Sequence, residues 1–499
     1  MNQTRTPSLF EALLPMLILI GLLSLAVYLF GEDASWGPNQ IALTLASLVA
    51  ALLGRRRGCS WQEIEKGVVQ SISQALPAIF ILLAVGALIG TWVMCGTVTA
   101  MIFYGLKLLT PKIFYPTVVI VTGIVSASIG SSWTTVGTIG IGLIGVAKGM
   151  GMSEAVTAGA IISGAYFGDK ISPLSDTTNL APAVSGTDIY THIRHMLWTT
   201  VPSMLLALAL FTVVGLGRQE GGSLALREET LKVIAAHFNT SPWLFFPVGA
   251  VIVMAAKKMR PFPVILSGAL IGGVFAVIFQ PDQVAQFVNR PELSRPLVMI
   301  AGVWKAMYNG FTTSTGVAHI DELVNRGGMG SMLKVIWLIM TALLFGGVME
   351  ATGKLGRILE LLLKMVKGTG TLITATLLTS FGLNLVASDQ YMAIVLPGKL
   401  FSNEYRRRGL APENLSRTLE DAGTLTSVLV PWNTCGAYMA GTLGVATLAY
   451  LPWCFFNLIN PLVAIFFGFT GISLKHLPPP GKTADPSAKP VPPAGTTAS

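Results

Sequence analysis

The chain has 499 residues, of which 52% are hydrophobic and only 11% charged, and its mean hydropathy is +0.66. Soluble domains carry about 25% charged residues, so the composition excludes an ordinary soluble protein and indicates a polytopic membrane protein. The formal charge of +9 fits basic cytoplasmic loops, and no basic, aromatic-interleaved stretch marks a nucleic-acid partner.

Leu9–Phe30 is long enough to span a bilayer and is read as the first transmembrane helix, not a cleaved signal. With Ile41–Leu53 it forms an N-terminal helical pair in residues 1–60. Arg55, Arg56 and Arg57 follow at once and place that end, and the amino terminus, in the cytoplasm. A first repeat is read over 61–217. Its amphipathic piece Trp61–Gln74 leads to the span Pro77–Met94. Thr97–Leu109 is too short to span and is expected at the interface. Tyr115–Val146 contains the polar core Ser126–Thr135. The stretch Ser163–Ala181 and the span His195–Gly215 follow.

Residues 218–296 connect the halves, with a polar loop at 218–241 and spans Trp243–Ala256 and Pro263–Phe279. Lys257, Lys258 and Arg260 between those spans are again cytoplasmic. A second repeat is read over 297–474. It carries the span Met332–Met349 and a short basic segment, Leu355–Lys367. Thr371–Leu400 is interrupted at Asn384–Gln390, and Asn414–Leu443 at Pro431–Gly436. Leu448–Phe469 is the last span. Residues 475–499, rich in Pro, Ala and Thr, read as a disordered cytoplasmic tail.

The two halves align. Gly90–Gly96 matches Gly347–Gly353 at an offset of 257. At the same offset Ser131-Ser132 falls on Ser388-Asp389, and Asp176-Thr177 falls on Asn433-Thr434. Matched interruptions in two halves point to a transporter binding site. Lys354, Arg357, Lys364 and Lys367 precede Thr371–Leu400, and Arg406, Arg407 and Arg408 follow it. Both flanks then lie in the cytoplasm, making this segment a re-entrant hairpin with Ser388 and Asp389 near its tip. Tyr115–Val146 becomes the matching hairpin from outside. The alternative is a pair of through-crossing, unwound helices. The expected fold is an all-α polytopic inverted-repeat transporter with re-entrant hairpins and unwound transmembrane helices.

The stretch Ser163–Ala181 holds Asp169, Lys170, Pro173 and Asp176 between apolar segments. Broken helix at membrane depth survives only inside protein or beside a water-filled cavity, and ionisable groups there are costly and usually functional. Carbonyls of an unwound helix and the C-terminal ends of half-helices offer negative charge to Na⁺ or a proton-bearing site. Hard cations prefer oxygen ligands. Neutral oxygens come from Ser131, Ser132, Thr134, Thr135, Ser175, Thr177, Thr178, Asn179, Asn384, Ser388, Asn433 and Thr434. Charge comes from Asp169, Asp176, Asp389, Glu420 and Asp421. A carboxylate that holds either Na⁺ or a proton makes the two compete. Asp176 ranks first for that role, then Asp389 and Asp421, with Asp169 a fourth proton-coupling candidate. The Na⁺ site is assigned to Asp176, Thr177 and Asn433. Asp169 beside Lys170 also reads as a structural ion pair, and Glu420-Asp421 as a helix N-terminal acidic pair.

Other chemistries find little support. Cys59, Cys95, Cys435 and Cys454 are scattered without a CxxC pair and read as core thiols. His192 and His195 share a helix face but lack a third ligand, so no resident metal or cofactor is expected. An intramembrane serine hydrolase would need a nucleophile beside a base. No GxSxG lies near a histidine, and His319 sits in an amphipathic stretch beside Asp321 and Glu322, so no enzyme is expected.

Gly164–Pro182, with Gly186–His195 after it, closely resembles the NhaC family of Na⁺/H⁺ antiporters. So do His319–Met329, Ser388–Tyr391, Leu419–Thr424 and Pro431–Thr434. The resemblance covers about residues 9 to 470. It implies inverted repeats in scaffold and transport domains, often as homodimers, within the inner membrane. Similar sequences include antiporters that exchange malate for lactate with Na⁺ and H⁺, and carriers of amino acids. The function expected is secondary-active exchange of Na⁺ leaving against protons entering. The alternative is Na⁺-coupled exchange of a small organic anion or an amino acid. A cation near the site would favour the anion, and Lys170, Lys399 and Arg194 are the candidates.

Overall fold

The computed structural model describes residues 7–31, 34, 37–217, 223–364 and 366–477. Its first half runs α1 (Leu9–Phe30), α2 (Pro38–Arg56), α3 (Trp61–Met94), α4 (Thr97–Leu108), α5 (Pro111–Ile129), α6 (Ser132–Thr135), a π-turn (Val136–Gly140), α7 (Ile141–Gly149), α8 (Glu154–Ile171), α9 (Asp176–Ser185) and α10 (Ile189–Leu216). The connection holds α11 (Ser223–His237), α12 (Phe246–Ala256), α13 (Pro261–Phe279), α14 (Pro281–Val288), α15 (Arg295–Asn309) and α16 (Ala318–Val324). The second half runs α17 (Leu333–Ala351), α18 (Lys354–Lys364), α19 (Thr369–Val386), α20 (Gln390–Arg407), α21 (Pro412–Leu419), a π-turn (Glu420–Thr424), α22 (Thr434–Leu443), α23 (Thr447–Tyr450) and α24 (Phe455–Thr470). Among the described residues seven helices are long and apolar enough to cross a membrane, or nine if two bent pairs count as one span each.

Three expectations change. Trp61–Gln74 and Pro77–Met94 are one 34-residue helix, α3. Pro77 removes one backbone donor, but α17 and the turn before it support the helix: Gly67 packs on Ala351 in α17 and Gly86 on Gly328 in that turn. The polar loop at 218–241 contains α11, whose Leu226 and Thr230 pack over Gly151 and Gly149. The last span is bent by 56° between Thr447–Trp453 and Phe455–Thr470. The tail beyond residue 477 lies outside the described residues, and Lys475 is held by Ala411, whose N–H donates to its carbonyl at 3.0 Å.

Two helical hairpins set the architecture. α5 and α8 run parallel: Gly164 lies on Val119 and Thr122, and Gly168 on Gly123 and Ala127. The arm α6–α7 therefore returns to the level where α5 began, and the Ser153 N–H reaches the Tyr115 hydroxyl at 3.2 Å. In the second hairpin, Tyr405 near the end of α20 donates to Thr376 near the start of α19, at 3.3 Å. α19 runs parallel to α21 and the π-turn that follows it: the Tyr405 hydroxyl reaches both Thr376 and Thr418, and further on Asn384 donates to Gly423 O at 2.8 Å.

The senses of the hairpins follow from their neighbours. The start of α5 meets the end of α10 at Lys112 and Gly215. α10 and α24 are antiparallel, with Phe211 on Phe455 and Ser203 bonded to Asn460. The end of α24 meets the start of α19 at Phe469 and Gly370. α5 and α19 thus point in opposite senses.

Local geometry recurs between the halves at an offset of 258, one residue more than the sequence alignment indicates. Gly130 and Ser388 both take positive φ after a helix end, at 74° and 58°. Ser131 and Asp389 are N-caps, as are Ser175 and Asn433. Gly186 and Gly444 are left-handed C-caps. The offset of 257 holds only earlier, where Gly96 and Gly353 follow α3 and α17. Asp176 therefore corresponds to Thr434, and Ser131 to Asp389.

Candidate functional site

Four breaks meet at one cavity of about 270 Å³. The first lies between α5 and α6. Its Gly130 is required, because a Cβ there would come within 2.4 Å of Leu174 Cβ. Ser131 caps α6 by accepting the Thr134 N–H at 3.2 Å, and Ser132 donates to Asp169 Oδ2 at 2.7 Å.

The second break ends α8 at Ile171. Pro173 holds Ser172 in extended backbone, with φ −85° and ψ 126°. Thr178 closes the gap by donating toward the Asp169 and Lys170 carbonyls at 3.2 and 3.1 Å. Ser175 caps α9, and Asp176 stands exposed in its first turn.

The third break sits at the tip of the second hairpin. Asp389 caps α20 by accepting the Met392 N–H at 3.0 Å. The fourth precedes α22. Asn433 caps it and donates to Asn384 Oδ1 at 3.1 Å, and the Thr434 N–H donates to Ser388 O at 3.0 Å.

Of the residues expected at the site, the cavity brings together Ser131, Ser132, Asp169, Ser175, Asp176, Thr177, Asp389 and Thr434. Thr134 and Asn179 line an adjoining outer cavity of about 740 Å³. Thr178, Ser388, Asn384 and Asn433 lie outside both linings and hold the breaks in shape instead. Asp421 is also elsewhere: it is fully buried and paired with Lys170, which Asn460 also receives at 3.0 Å. Lys170 thus pairs with Asp421 and not with the neighbouring Asp169, which is left to face the cavity. Glu420 and Asp421 do not open a helix; they form part of a π-turn after α21.

Helix ends of both kinds reach the cavity. Gly130 ends α5 and Asp169 lies in the last turn of α8, while the starts of α6, α9, α20 and α22 bring partial positive charge. Three carboxylates, Asp169, Asp176 and Asp389, answer them. The starts bring about +0.5 each and the ends of α5 and α8 about −0.5 each, so with three carboxylates the cavity stays negative. A negative cavity suits a cation. Neither Lys399 nor Arg194 lines it; the outer cavity has Lys258 and Arg260 at its rim.

Sequence reasoning passed over Gln74, Trp133, Gln390 and Tyr391, which also line the cavity. Gln390 and Tyr391 follow Asp389 directly, so the break itself was their signal. Glu420 was weighed only as a source of charge. It is fully buried, and among the described residues neither carboxylate oxygen has a hydrogen-bond partner. Among the described residues no group of three His, Cys, Asp or Glu could hold a resident metal ion.

The comparisons with known proteins bear on this constellation. Residues 164–472, which contain three of the four breaks, match the model of the Na⁺/H⁺ antiporter family. The chain belongs to the Na⁺/H⁺ antiporter family. It is 39% identical over 87% of its length to the Na⁺/H⁺ antiporter NhaC of Alkalihalophilus pseudofirmus, covering 91% of that relative. It is also 39% identical to a malate-2H⁺/Na⁺-lactate antiporter of Bacillus subtilis, over 94% of this chain and 96% of that one. An arginine/ornithine antiporter of Halobacterium salinarum is 35% identical over 97% of each chain. Within the antiporter family, then, full-length relatives differ in what their names say they carry.

Proposed function

We propose that this protein exchanges Na⁺ leaving the cell against entering protons, by alternating access, through the cavity where the four breaks meet. The observation that carries this is the lining: three carboxylates and, among the described residues, no Lys or Arg. A cation bound at Asp176, Asp389 and Asp169 neutralises the excess negative charge. A proton does the same, so the two exclude each other. The opposite senses of α5 and α19 and the recurring caps support two inverted repeats with re-entrant hairpins. Arg55–Arg57, Lys257–Arg260 and Arg406–Arg408 support cytoplasmic termini and a cytoplasmic opening past Lys258 and Arg260. We assign the protein to the inner membrane, as a homodimer, in line with its family.

A second reading has one observation in its favour. Helix N-termini directed at a transporter cavity suit anionic substrates, so a small organic anion could enter together with Na⁺. The full charges of three carboxylates outweigh the partial charges of capped helix ends, which places Na⁺/H⁺ exchange first.

Purified protein in liposomes tests both. Na⁺ added outside is expected to move lumenal pH with no organic solute present, and choline is not. Proton movement that requires malate, lactate or an amino acid inside would replace the first reading by the second.

A further inference from the structure

The cavity is larger than its cation. Na⁺ with six waters fills about 180 Å³ at about 30 Å³ per water, against about 270 Å³ here, and the adjoining outer cavity adds about 740 Å³. The two cavities share Pro77, Ile81, Gly130, Ser131, Asp176 and Pro261, so they adjoin. Their chemistry is graded. The inner end has the three carboxylates and the rings of Trp133 and Tyr391, a setting that attracts cations by charge and by ring quadrupole. The outer part is walled by Phe80, Phe262, Ile129 and Leu174, with Lys258 and Arg260 at its rim.

Gln390 is a separate signal. It lines the inner cavity, is 8% exposed, and its side-chain amide has no partner among the described residues. Its amide reaches the cavity, where the carbonyl oxygen can accept from an ammonium N–H as well as ligate Na⁺. Asp389, 7% exposed, uses one carboxylate oxygen as an N-cap and leaves the other facing the cavity.

We propose that the site also takes a primary ammonium ion carrying an apolar body, resting on the cation site argued above. The ammonium occupies the place of Na⁺ between Asp176 and Asp389 and donates its third proton to the Gln390 carbonyl. The apolar body lies along Phe80 and Phe262. Such an ion competes with Na⁺, since both need the carboxylates of Asp176 and Asp389.

The test is displacement of radiolabelled Na⁺ from the purified full-length protein by hexylammonium, methylammonium, hexanol and norleucine. Each buried methylene is worth about a fourfold gain in affinity. With three of hexylammonium's extra methylenes buried, it is expected to displace Na⁺ at about 50-fold lower concentration than methylammonium. Hexanol is expected to displace nothing. Phe262→Ala is expected to narrow the hexyl-to-methyl ratio to about fivefold while Na⁺ affinity stays within about twofold. Phe80→Ala makes the same test should the first variant fail to bind Na⁺. Equal potency of the two amines, or displacement by hexanol, overturns the inference. Displacement by norleucine as strong as by hexylammonium also overturns it, in favour of an amino-acid site. Saturable Na⁺ binding that hexylammonium leaves in place overturns this inference alone. An absence of Na⁺ binding to the wild type overturns the cation reading beneath it.

Discussion

Asp176 stands in the first turn of α9 with no protein partner for its carboxylate among the described residues. Its Asn variant therefore loses cation binding without disturbing packing. An interaction with a charged group is worth about 1.5–3 kcal/mol, so Asp176→Asn is expected to weaken apparent Na⁺ affinity about 10- to 150-fold. The melting temperature in detergent should not move, and retained affinity would remove Asp176 from the site. Lys170 behaves in the opposite way. It and Asp421 are both fully buried, so Lys170→Met strands a charge at a cost of about 3–5 kcal/mol. Thermal unfolding should show that loss, and Asp421→Leu added to it should recover most of the stability. At this scale the sequence singled out three carboxylates that line the cavity, added Asp421, which lies outside it, and paired Lys170 wrongly. Adjacent residues on a helix point in different directions, and Lys170 finds its partner 251 residues away. Nothing local announces such a pair.

At the scale of elements, the α5–α8 contact places Asp169. A Cβ on Gly168 would come within 2.3 Å of Gly123 O and 2.5 Å of Ala127 N, both backbone atoms. Gly168→Ala must push the helices apart, and overpacking of this kind costs about 1–3 kcal/mol. A lower melting temperature, together with weaker Na⁺ binding because Asp169 shifts, is the expected pair of results. An unchanged melting temperature would mean that the helices are free to separate. Most element ends were legible, because Pro, Gly and N-cap residues act within a few residues of themselves. Pro173, Ser175 and Gly186 bound α9 in that way. The single helix α3 was not legible, since hydropathy changes near Gln74 while the backbone does not. Nor was it legible that four helix starts join the ends of α5 and α8 at the cavity. Which end of a broken helix faces a site depends on how the pieces pack.

Across the whole molecule, the basic rim opposes the acidic cavity. Lys258 and Arg260 raise the local potential at the outer cavity and repel an approaching cation. Replacing both by Gln is expected to raise apparent Na⁺ affinity about two- to fivefold at low ionic strength, an effect that fades once the Debye length falls to about 3 Å near 1 M salt. A salt-independent change would point to altered packing and not to the field. The sequence by itself determined that this chain lies in a membrane, where its apolar runs are broken and which oxygens and carboxylates stand at the breaks. These follow from composition and from chemistry local in the chain. Only the tertiary structure decided that the four breaks meet at one cavity, that Asp421 pairs with Lys170 away from it while Asp169 faces it, and that the halves match one residue out of the register their sequences suggest. Each of those depends on contacts between segments far apart in the chain, which packing alone brings together.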